Sequence, residues 1–443
     1  MAAFSDTIFA LSSGALPSGV AVIRLSGAKA FDVASALCEG GLPPPRKAGL
    51  RSIHLSDGSF LDRGLVLVFP GPHSFTGEDC VELHLHGGRA VVAAALKCLA
   101  GFSELRMAEA GEFSRRALQN GKLDLVEAEG LSDLLAADTE MQRRLAIEQA
   151  SGHLSAVYER WRETLIFARS MIEAELDFSD EGDIPGSISE RIWSDVTQLI
   201  AEMQSTLKGQ QAGEIIRDGF KIVLAGRPNA GKSSLMNALM RRDVAIVTDI
   251  AGTTRDVIHC ELDLEGYKVH LFDTAGLRET EEVIEREGIR RAEKFIAEAD
   301  LVLFLIDMTG TDDTLLPEAR VVWRIGTKRD QLDGASDFNQ SRYDAVVSTV
   351  DESGLDSLRE KLVAEIRCQT SIASLAVPSR LRQWQSIVSA ASHLQNALDH
   401  SGKPLELRAE DLRLASDELS RLTGRIDTEM LLGKIFAEFC VGK

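Results

Sequence analysis

Apolar and polar positions give the first half of the 443-residue chain two distinct textures. From residue 1 to about 118, short apolar runs at Gly19–Leu25, Gly64–Phe69 and Cys80–Leu85 alternate with turns rich in Gly, Pro and Ser, which is typical of strands. From about 122 to 212, leucine and isoleucine recur at helical spacing, with a break at Gly182–Gly186. The pattern predicts a mixed α/β segment followed by long helices.

A third texture begins at Phe220. Apolar runs at Lys221–Ala225, Val269–Asp273 and Leu301–Asp307 alternate with helical segments, which indicates a parallel sheet, and after about 370 the helical pattern returns. We therefore expect an α/β domain inserted into a helical one, whose two segments pack together to bury their apolar faces. The predicted domains are an α+β domain at 1–118, a first helical segment at 119–215, an α/β domain with a parallel-rich sheet at 216–370, and a second helical segment at 371–443.

Composition narrows the function classes. Lys and Arg number 49 against 68 Asp and Glu, a net charge of −19 that argues against autonomous RNA or DNA binding. The six cysteines are scattered without a C-x-x-C pair, which excludes a zinc ribbon or disulfide scaffold and suits a reducing compartment. With no basic leader and no apolar run near about 18 residues, we expect a cytoplasmic chain without membrane contact.

The strongest chemical signal is the sequence G-R-P-N-A-G-K-S from Gly226 to Ser233. It follows an apolar run and precedes a helical one, which is the strand–loop–helix context of a phosphate-binding loop. Its backbone N–H groups suit phosphate oxygens at a helix N-terminus. Lys232 is predicted to reach the β- and γ-phosphates, and Ser233 to hold Mg²⁺.

Three further elements follow in the order expected of a GTPase. The segment Gly252–Asp256 offers the Thr254 hydroxyl to Mg²⁺ and the γ-phosphate, and D-T-A-G begins at Asp273. T-K-R-D stands where N-K-x-D reads guanine, with Asp330 accepting from the base. The predicted GTP-binding residues are Asn229, Ala230, Gly231, Lys232, Ser233, Ser234, Thr248, Asp249, Ile250, Ala251, Gly252, Thr253, Thr254, Asp273, Thr274, Ala275, Gly276, Lys328 and Asp330.

Two residues depart from the Ras-like pattern. Leu277 stands where a glutamine would orient the attacking water, so another residue must do so, and the acidic stretch from Glu279 to Glu285 is the nearest source. Thr327 lacks the amide with which asparagine ties loops together and touches the base, so we expect softened selectivity for guanine.

Taken together, these motifs resemble the tRNA-modification GTPase MnmE (TrmE) family over nearly the whole chain. The resemblance includes S-D-T-I at Ser5, S-F-T-G-E-D at Ser74, G-E-F-S at Gly111, N-G-K-L-D-L at Asn120 and the final F-C-V-G-K. It implies an N-terminal domain that dimerises and binds 5-formyl- or 5,10-methylene-tetrahydrofolate. Arg24, Glu82 and Lys122 match the folate-contacting positions, where cations suit a glutamate carboxylate and Glu82 suits pterin donors.

The resemblance also implies K⁺ activation in a Ras-like GTPase domain. Asn229 matches the K⁺-coordinating position, with Thr248, Ile250 and Thr253, and the cation would supply the charge of an arginine finger. Glu285 matches the water-orienting glutamate. Hydrolysis is implied to need two GTPase domains face to face, in a homodimer.

The implied partner is an FAD-containing MnmG (GidA)-type protein that forms a heterotetramer with this chain and makes most of the tRNA contact. Together they would add a carboxymethylaminomethyl or aminomethyl group to C5 of the wobble uridine, with folate as the one-carbon donor. Cys440 is a candidate nucleophile, with Lys443 near enough in sequence to stabilise a thiolate, and the alternative is a packed or partner-contacting cysteine.

Other classes are less consistent with the residues. A ribosome-assembly GTPase of the Era or Der type would carry a basic RNA-binding appendage, but Cys368–Lys443 holds nine basic and nine acidic residues and no GXXG loop. A non-enzymatic folate-binding scaffold would not need the phosphate elements, and a metal-centre assembly GTPase would need a His- or Cys-rich tract. His84 and His86 share a strand face and are interpreted as polar pocket or surface residues; His259 and His270 have no assigned role.

Overall fold

The computed structural model describes residues 6–177, 187–242, 244–245, 258–273, 293–310, 316–332, 340–399 and 404–424. The described chain forms two compact units. One comprises the described residues within 1–132, 149–192 and 396–443, and the other comprises those within 133–148 and 193–395.

Helices and strands occur in the order that the three textures predict. The helices are α1 (Ala30–Leu37), α2 (Arg89–Leu99), α3 (Glu112–Gln119), α4 (Leu125–Ala136), α5 (Glu140–Ala150), α6 (His153–Asp177), α7 (Ser187–Leu207), α8 (Gln210–Asp218), α9 (Lys232–Arg242), α10 (Leu355–Gln369), α11 (Leu381–Asp399) and α12 (Leu405–Leu422). The strands are β1 (Thr7–Leu11), β2 (Ser18–Ser26), β3 (Gly49–His54), β4 (Phe60–Phe69), β5 (Cys80–Gly87), β6 (Leu105–Met107), β7 (Phe220–Gly226), β8 (Val244–Ala245), β9 (Ile258–Leu264), β10 (Tyr267–Asp273), β11 (Leu301–Asp307), β12 (Val322–Thr327) and β13 (Ala345–Val346).

The first unit contains a six-stranded sheet in the order β3-β4-β5-β2-β1-β6. Its pairs are antiparallel except for β1 with β6. Alternate residues of the strands, among them Ile23, Val66 and Leu83, are buried together with α1 and α2. Because side chains alternate across a strand, the intervening residues form the opposite face of the sheet.

Two helices of the first unit come from distant parts of the chain. The long α6 packs along α12, and Trp161 and Leu165 of α6 are buried, as are Leu412 and Leu419 of α12. Each helix covers an apolar stripe that it could not bury alone. This confirms that the early and late helical stretches pack together, whereas the domain boundaries stay predictions.

The second unit contains a seven-stranded sheet in the order β13-β12-β11-β7-β10-β9-β8. Strands β7, β10, β11, β12 and β13 are mutually parallel, and β9 and β8 add an antiparallel edge. The core lies between this sheet and helices that include α9 and α10. The multidomain α/β plus α architecture and the P-loop fold are confirmed, and the parallel strands bring their carboxyl ends to one edge, where ligands of α/β proteins bind.

Candidate nucleotide site at the strand ends

The loop after β7 takes the backbone course expected of a phosphate cradle. Gly226 has φ 139°, and a Cβ built there would lie 2.5 Å from the carbonyl oxygen of Leu305 in the neighbouring strand. Asn229 has φ 64° and Gly231 has φ 92°, both in the left-handed region. Two left-handed residues inside a five-residue turn curl the backbone, so that the loop leads directly into α9.

Lys232 and Ser233 begin α9 directly after this loop, and Asp273 lies beside them at the end of β10. The Lys232 Nζ donates to the carbonyl oxygens of Gly226 at 3.0 Å and Arg227 at 2.9 Å, which holds its charge beside the loop. Ser233 Oγ donates to Asp273 Oδ2 at 2.6 Å. Asp273 is completely buried, and its carboxylate meets the hydroxyl where β10 ends next to β7. The sequence-predicted pair is therefore brought together.

Thr327 connects the end of β12 to the phosphate loop. Its buried hydroxyl lies 2.9 Å from the carbonyl oxygen of Ala230, to which it donates, and 3.2 Å from that of Ile306. Thr327 lacks the amide of asparagine, but its hydroxyl contacts the phosphate loop and so connects the end of β12 to it. The expected softening of guanine selectivity stays a prediction.

Lys328 and Asp330 are each held by a residue that sequence reasoning missed. Lys328 Nζ contacts Asp307 Oδ2 at 2.5 Å, and although burial acts to raise the pKa of Asp307, the hydrogen bonds from Lys328 and Thr309 lower it below its ordinary value. Exposed Asp330 accepts a 2.7 Å hydrogen bond from Ser348 Oγ, which follows β13. A small polar residue directly after a short apolar run was the available signal for Ser348.

Ser234 is exposed in the first turn of α9, and the other remaining predicted residues lie outside the described part of the chain. They are Thr248, Asp249, Ile250, Ala251, Gly252, Thr253, Thr254, Thr274, Ala275, Gly276, Glu285 and, at the C-terminus, Cys440. The K⁺ set is thus described only at Asn229, and the Mg²⁺ set at Ser233. Their assignments stay predictions.

The predicted folate residues lie in the first unit, around the segment Ser74–Asp79. Arg24 on β2 stands directly opposite Glu82 on β5, and its Nη2 lies 3.0 Å from Glu82 Oε1. The Arg24 guanidinium also lies 5.3 Å from the ring centroid of Phe75. His84 Nε2 contacts the other Glu82 oxygen at 3.3 Å. The half-buried pair is thus placed between an aromatic ring and a histidine.

Lys122 lies near the same segment, at Gly77. A Cβ built at Gly77 would lie 3.4 Å from Lys122 Cγ and 3.0 Å from Asn120 Cβ, and Asn120 Nδ2 donates to the carbonyl oxygen of Thr76 at 2.7 Å. Arg24 and Lys122 therefore flank one loop through Phe75 and Gly77 respectively. All three predicted folate residues therefore lie near the segment Ser74–Asp79, although Lys122 makes no direct contact with Arg24 or Glu82 in the structure.

A buried cluster of charged side chains includes Glu78 of that segment. The Arg116 guanidinium, which is completely buried, contacts Glu112 at 3.0 Å, Glu78 at 3.1 Å and Asp6 at 3.0 Å. Glu78 also accepts a 2.6 Å hydrogen bond from Ser26. The cluster fixes the backbone that carries Phe75 and Gly77, and sequence reasoning missed it because its members are far apart in the chain.

The open face of this sheet also carries exposed apolar side chains. Val20, Leu50 and Leu65 are 55%, 50% and 43% exposed, and they occupy the strand positions that alternate with the buried core, as Arg24 and Glu82 do. Large apolar groups grouped on one surface are typical of an interaction face. Among the described residues, no helix has the length and apolar character to cross a membrane.

Two family models and two relatives match nearly the full chain. The model of the MnmE helical domain matches residues 125–440, and that of the GTP-binding protein TrmE N-terminus matches residues 7–122. The chain is 53% identical to the tRNA modification GTPase MnmE of Rhizobium etli (strain CIAT 652), with all of both chains covered, and 56% identical to that of Rhizobium meliloti (strain 1021), with 99% of each covered. Among solved structures, the G domain of the Thermotoga maritima FeoB iron transporter is 26% identical over 33% of this chain and 98% of its own, with a TM-score of 0.26.

Proposed function

This chain belongs to the tRNA modification GTPase MnmE family, and from that premise we propose that it couples K⁺-dependent GTP hydrolysis to modification of the wobble uridine. The sequence resemblance is confirmed, and the chain is a GTP hydrolase that acts in tRNA modification. The observation that carries the finer proposal is the convergence of Lys232, Ser233, Asp273 and Asp330 at adjacent strand ends.

Nucleotide binding follows from charges and hydrogen-bonding groups of the loop. Lys232 would turn from the loop carbonyls to the β- and γ-phosphates, since an ammonium interacts more strongly with an anion than with neutral acceptors. Asp330 would accept from the guanine N1–H and exocyclic amine, held in place by Ser348. The paired oxygens of Ser233 and Asp273 suit Mg²⁺, which prefers hard oxygen ligands, and Thr254 would complete the set.

Asn229 and Glu285 would position the cation and the water that take part in hydrolysis. The Asn229 side chain projects from a left-handed position in the loop, and with Thr248, Ile250 and Thr253 it would hold K⁺. A cation bound there would stabilise the negative charge that develops between the phosphates. Glu285 would orient the attacking water in place of the apolar Leu277. We propose that this arrangement is completed when two GTPase domains meet.

The first unit would bind folate and dimerise on the open face of its sheet. Arg24 and Lys122 would attract the folate carboxylates, and Glu82 would accept from pterin N–H groups, with Phe75 beside the Arg24 guanidinium. Tetrahydrofolate would supply the one-carbon unit when bound. The exposed Val20, Leu50 and Leu65 support a homodimer, because a second copy would remove them from water.

The net charge of −19 favours a partner protein that binds the tRNA phosphates. We propose that an FAD-containing MnmG-type protein makes most of the tRNA contact, since phosphate neutralisation needs basic residues that this chain lacks in excess. Cys440 is retained as a candidate nucleophile of the cytoplasmic complex.

Mass spectrometry of tRNA nucleosides from cells lacking this chain tests the modification. The aminomethyl-type wobble uridines should disappear and return with a wild-type copy. A Lys232→Ala copy should fail to restore them, and a Cys440→Ser copy tests the nucleophile separately. An unchanged nucleoside profile in the cells without this chain would contradict the proposed modification, while leaving the GTPase activity intact.

Hydrolysis in K⁺ and Na⁺ buffers tests the cation assignment. Asn229→Gly is the sharpest variant, because glycine tolerates φ 64° while the side-chain oxygen is lost. We expect wild-type hydrolysis to be faster in K⁺ and the variant to lose that difference while still binding GTP. Equal rates in both salts for the wild type would refute the role of Asn229.

A further inference from the structure

Three metal-ligating side chains converge on the β9–β10 hairpin, on the side opposite its buried core. Cys260, Leu262 and Leu271 point into the core beneath α9, whereas His259, Glu261 and His270 occupy the alternating positions. The register places His270 directly opposite Glu261. One ligand atom from each of the three lies within 4.8 Å of the other two.

The distances are those of ligands that share one ion. Glu261 Oε1 lies 3.7 Å from His259 Nε2 and 3.5 Å from His270 Nδ1. Two ligand atoms bound to one tetrahedral ion, with bonds of about 2.0–2.1 Å, lie roughly 3.4 Å apart. A small rotation of the exposed His259 ring, which stacks on Phe272, would close the set.

The hydrogen bonding of His270 defines which nitrogen faces the cluster. Its Nε2 lies 2.7 Å from the carbonyl oxygen of Asp218. A carbonyl can only accept, so Nε2 carries the hydrogen, and in the neutral ring Nδ1 presents a lone pair to Glu261 Oε1. Two acceptors that face each other at 3.5 Å repel unless a positive charge lies between them.

The surroundings orient the ligands as in known metal sites. The Nε2–H bond to a backbone carbonyl is the second contact that metal-bound histidines usually make. Lys268 Nζ contacts Glu261 Oε2 at 2.8 Å and Asp138 at 2.9 Å, so one oxygen of Glu261 contacts the ammonium and the other, Oε1, faces the histidines. Lys268 is thereby engaged by two carboxylates.

We propose that His259, Glu261 and His270 bind a divalent transition metal of the Zn²⁺ class. Two imidazoles and one carboxylate suit Zn²⁺, whereas Mg²⁺ prefers oxygen ligands. The ion cross-links β9 to β10, the strand that ends at Asp273 of the nucleotide site. It is distinct from the Mg²⁺ position, since His270 and Asp273 are an odd number of residues apart on β10 and so face opposite sides of the sheet.

Zn²⁺ binding to the full-length, nucleotide-free chain tests the site. The chain is dialysed against Zn²⁺ in excess Mg²⁺, and its metal content is measured beside that of His259→Ala and Glu261→Gln. Both variants should bind Zn²⁺ more than about tenfold more weakly, while far-UV circular dichroism stays unchanged. His86→Ala is the matched control, because His86 is exposed and its ring contacts the single carboxylate of Asp62; it should bind as the wild type does.

Two spectroscopic outcomes separate the proposal from its competitors. Co²⁺ in place of Zn²⁺ should give visible bands without a thiolate charge-transfer band; a thiolate band would assign the ion to a cysteine such as exposed Cys368 and overturn the site. In ¹⁵N spectra, Zn²⁺ should shift His270 Nδ1. A His270 Nδ1 signal that does not change when Zn²⁺ is added would overturn it as well, as would equal Zn²⁺ binding by His259→Ala and the wild type.

Discussion

Replacement of Thr327 by valine tests whether the hydroxyl between β12 and the phosphate loop contributes to nucleotide binding. Valine keeps the branched shape and removes only the donor to Ala230, at 2.9 Å, and to Ile306, at 3.2 Å. Thr327 is only 4% exposed, so water cannot easily replace the lost donor. A buried acceptor left without its partner costs about 1–3 kcal/mol.

The cost should fall mainly on the phosphate loop. Ala230 lies between Asn229 and Gly231, both left-handed, so its carbonyl direction is coupled to the curl of the loop. If about 1–2 kcal/mol of the loss appears in binding, the affinity for GDP falls roughly 5- to 30-fold. Thr327→Ser is the matched control, because it keeps the hydroxyl and loses one methyl group.

Titration with a fluorescent GDP analogue measures the affinity, and thermal unfolding without nucleotide measures stability separately. We expect Thr327→Val to bind more weakly than Thr327→Ser in the same buffer. Competition by GTP and ATP then tests guanine selectivity, which Thr327→Asn should sharpen if the threonine softens it. Wild-type affinity in Thr327→Val would refute the view that this hydroxyl supports the loop.

Further predictions concern the first unit. Glu112→Gln should lower the free energy of unfolding by about 3 kcal/mol, because it removes one charged partner of the completely buried Arg116. The control Glu109→Gln changes an exposed pair with Arg115 and should cost about 0–1 kcal/mol. Chemical denaturation measures both values. Burial acts to raise the pKa of Glu112, but Arg106, the Glu109 N–H and Arg116 lower it below its ordinary value of 4.5. The contribution of Glu112 to stability is therefore complete above pH 4.5 and disappears as the pH falls through the lowered pKa. In acid, the difference in free energy of unfolding between the wild type and Glu112→Gln should become smaller. Leu65→Asp should shift sedimentation towards the monomer while exposed Leu407→Asp on α12 does not, and a dimer unaffected by Leu65→Asp would contradict the proposed face.

The sequence predicts the regions of the fold in which local pattern and burial agree. Continuous apolar runs such as Leu301–Asp307 read directly as buried parallel strands, and they form β11 and its neighbours. The three-residue β6 and the polar-rich β3 were missed, because their pairing comes from neighbouring strands and not from their own composition. Periodicity over so few residues cannot identify a strand.

The nucleotide site was predictable where a motif fixes residue type and spacing. Lys232, Ser233 and Asp273 follow from the motifs, and the structure brings the last two within 2.6 Å. Ser348 and Asp307 were not predicted, since each acts by holding a motif residue across the sheet. The ion cluster around Arg116 was missed for the same reason: its partners Asp6 and Glu78 are remote in sequence and meet only in the folded sheet.

These contacts separate the binding of nucleotide from its hydrolysis. Lys232, Asp273, Thr327 and Asp330 are all held by hydrogen bonds within a single unit, so we expect a monomeric chain to bind GTP. Leu277 has no group that can hydrogen-bond to the attacking water. The described groups at the strand ends bind the nucleotide, and none of them is assigned to orient that water. On the mechanism proposed above, Glu285 and a second GTPase domain would complete the catalytic arrangement. A Leu65→Asp monomer that binds GTP normally but hydrolyses it slowly would fit this division, whereas full activity in the monomer would place the complete catalytic set within one chain.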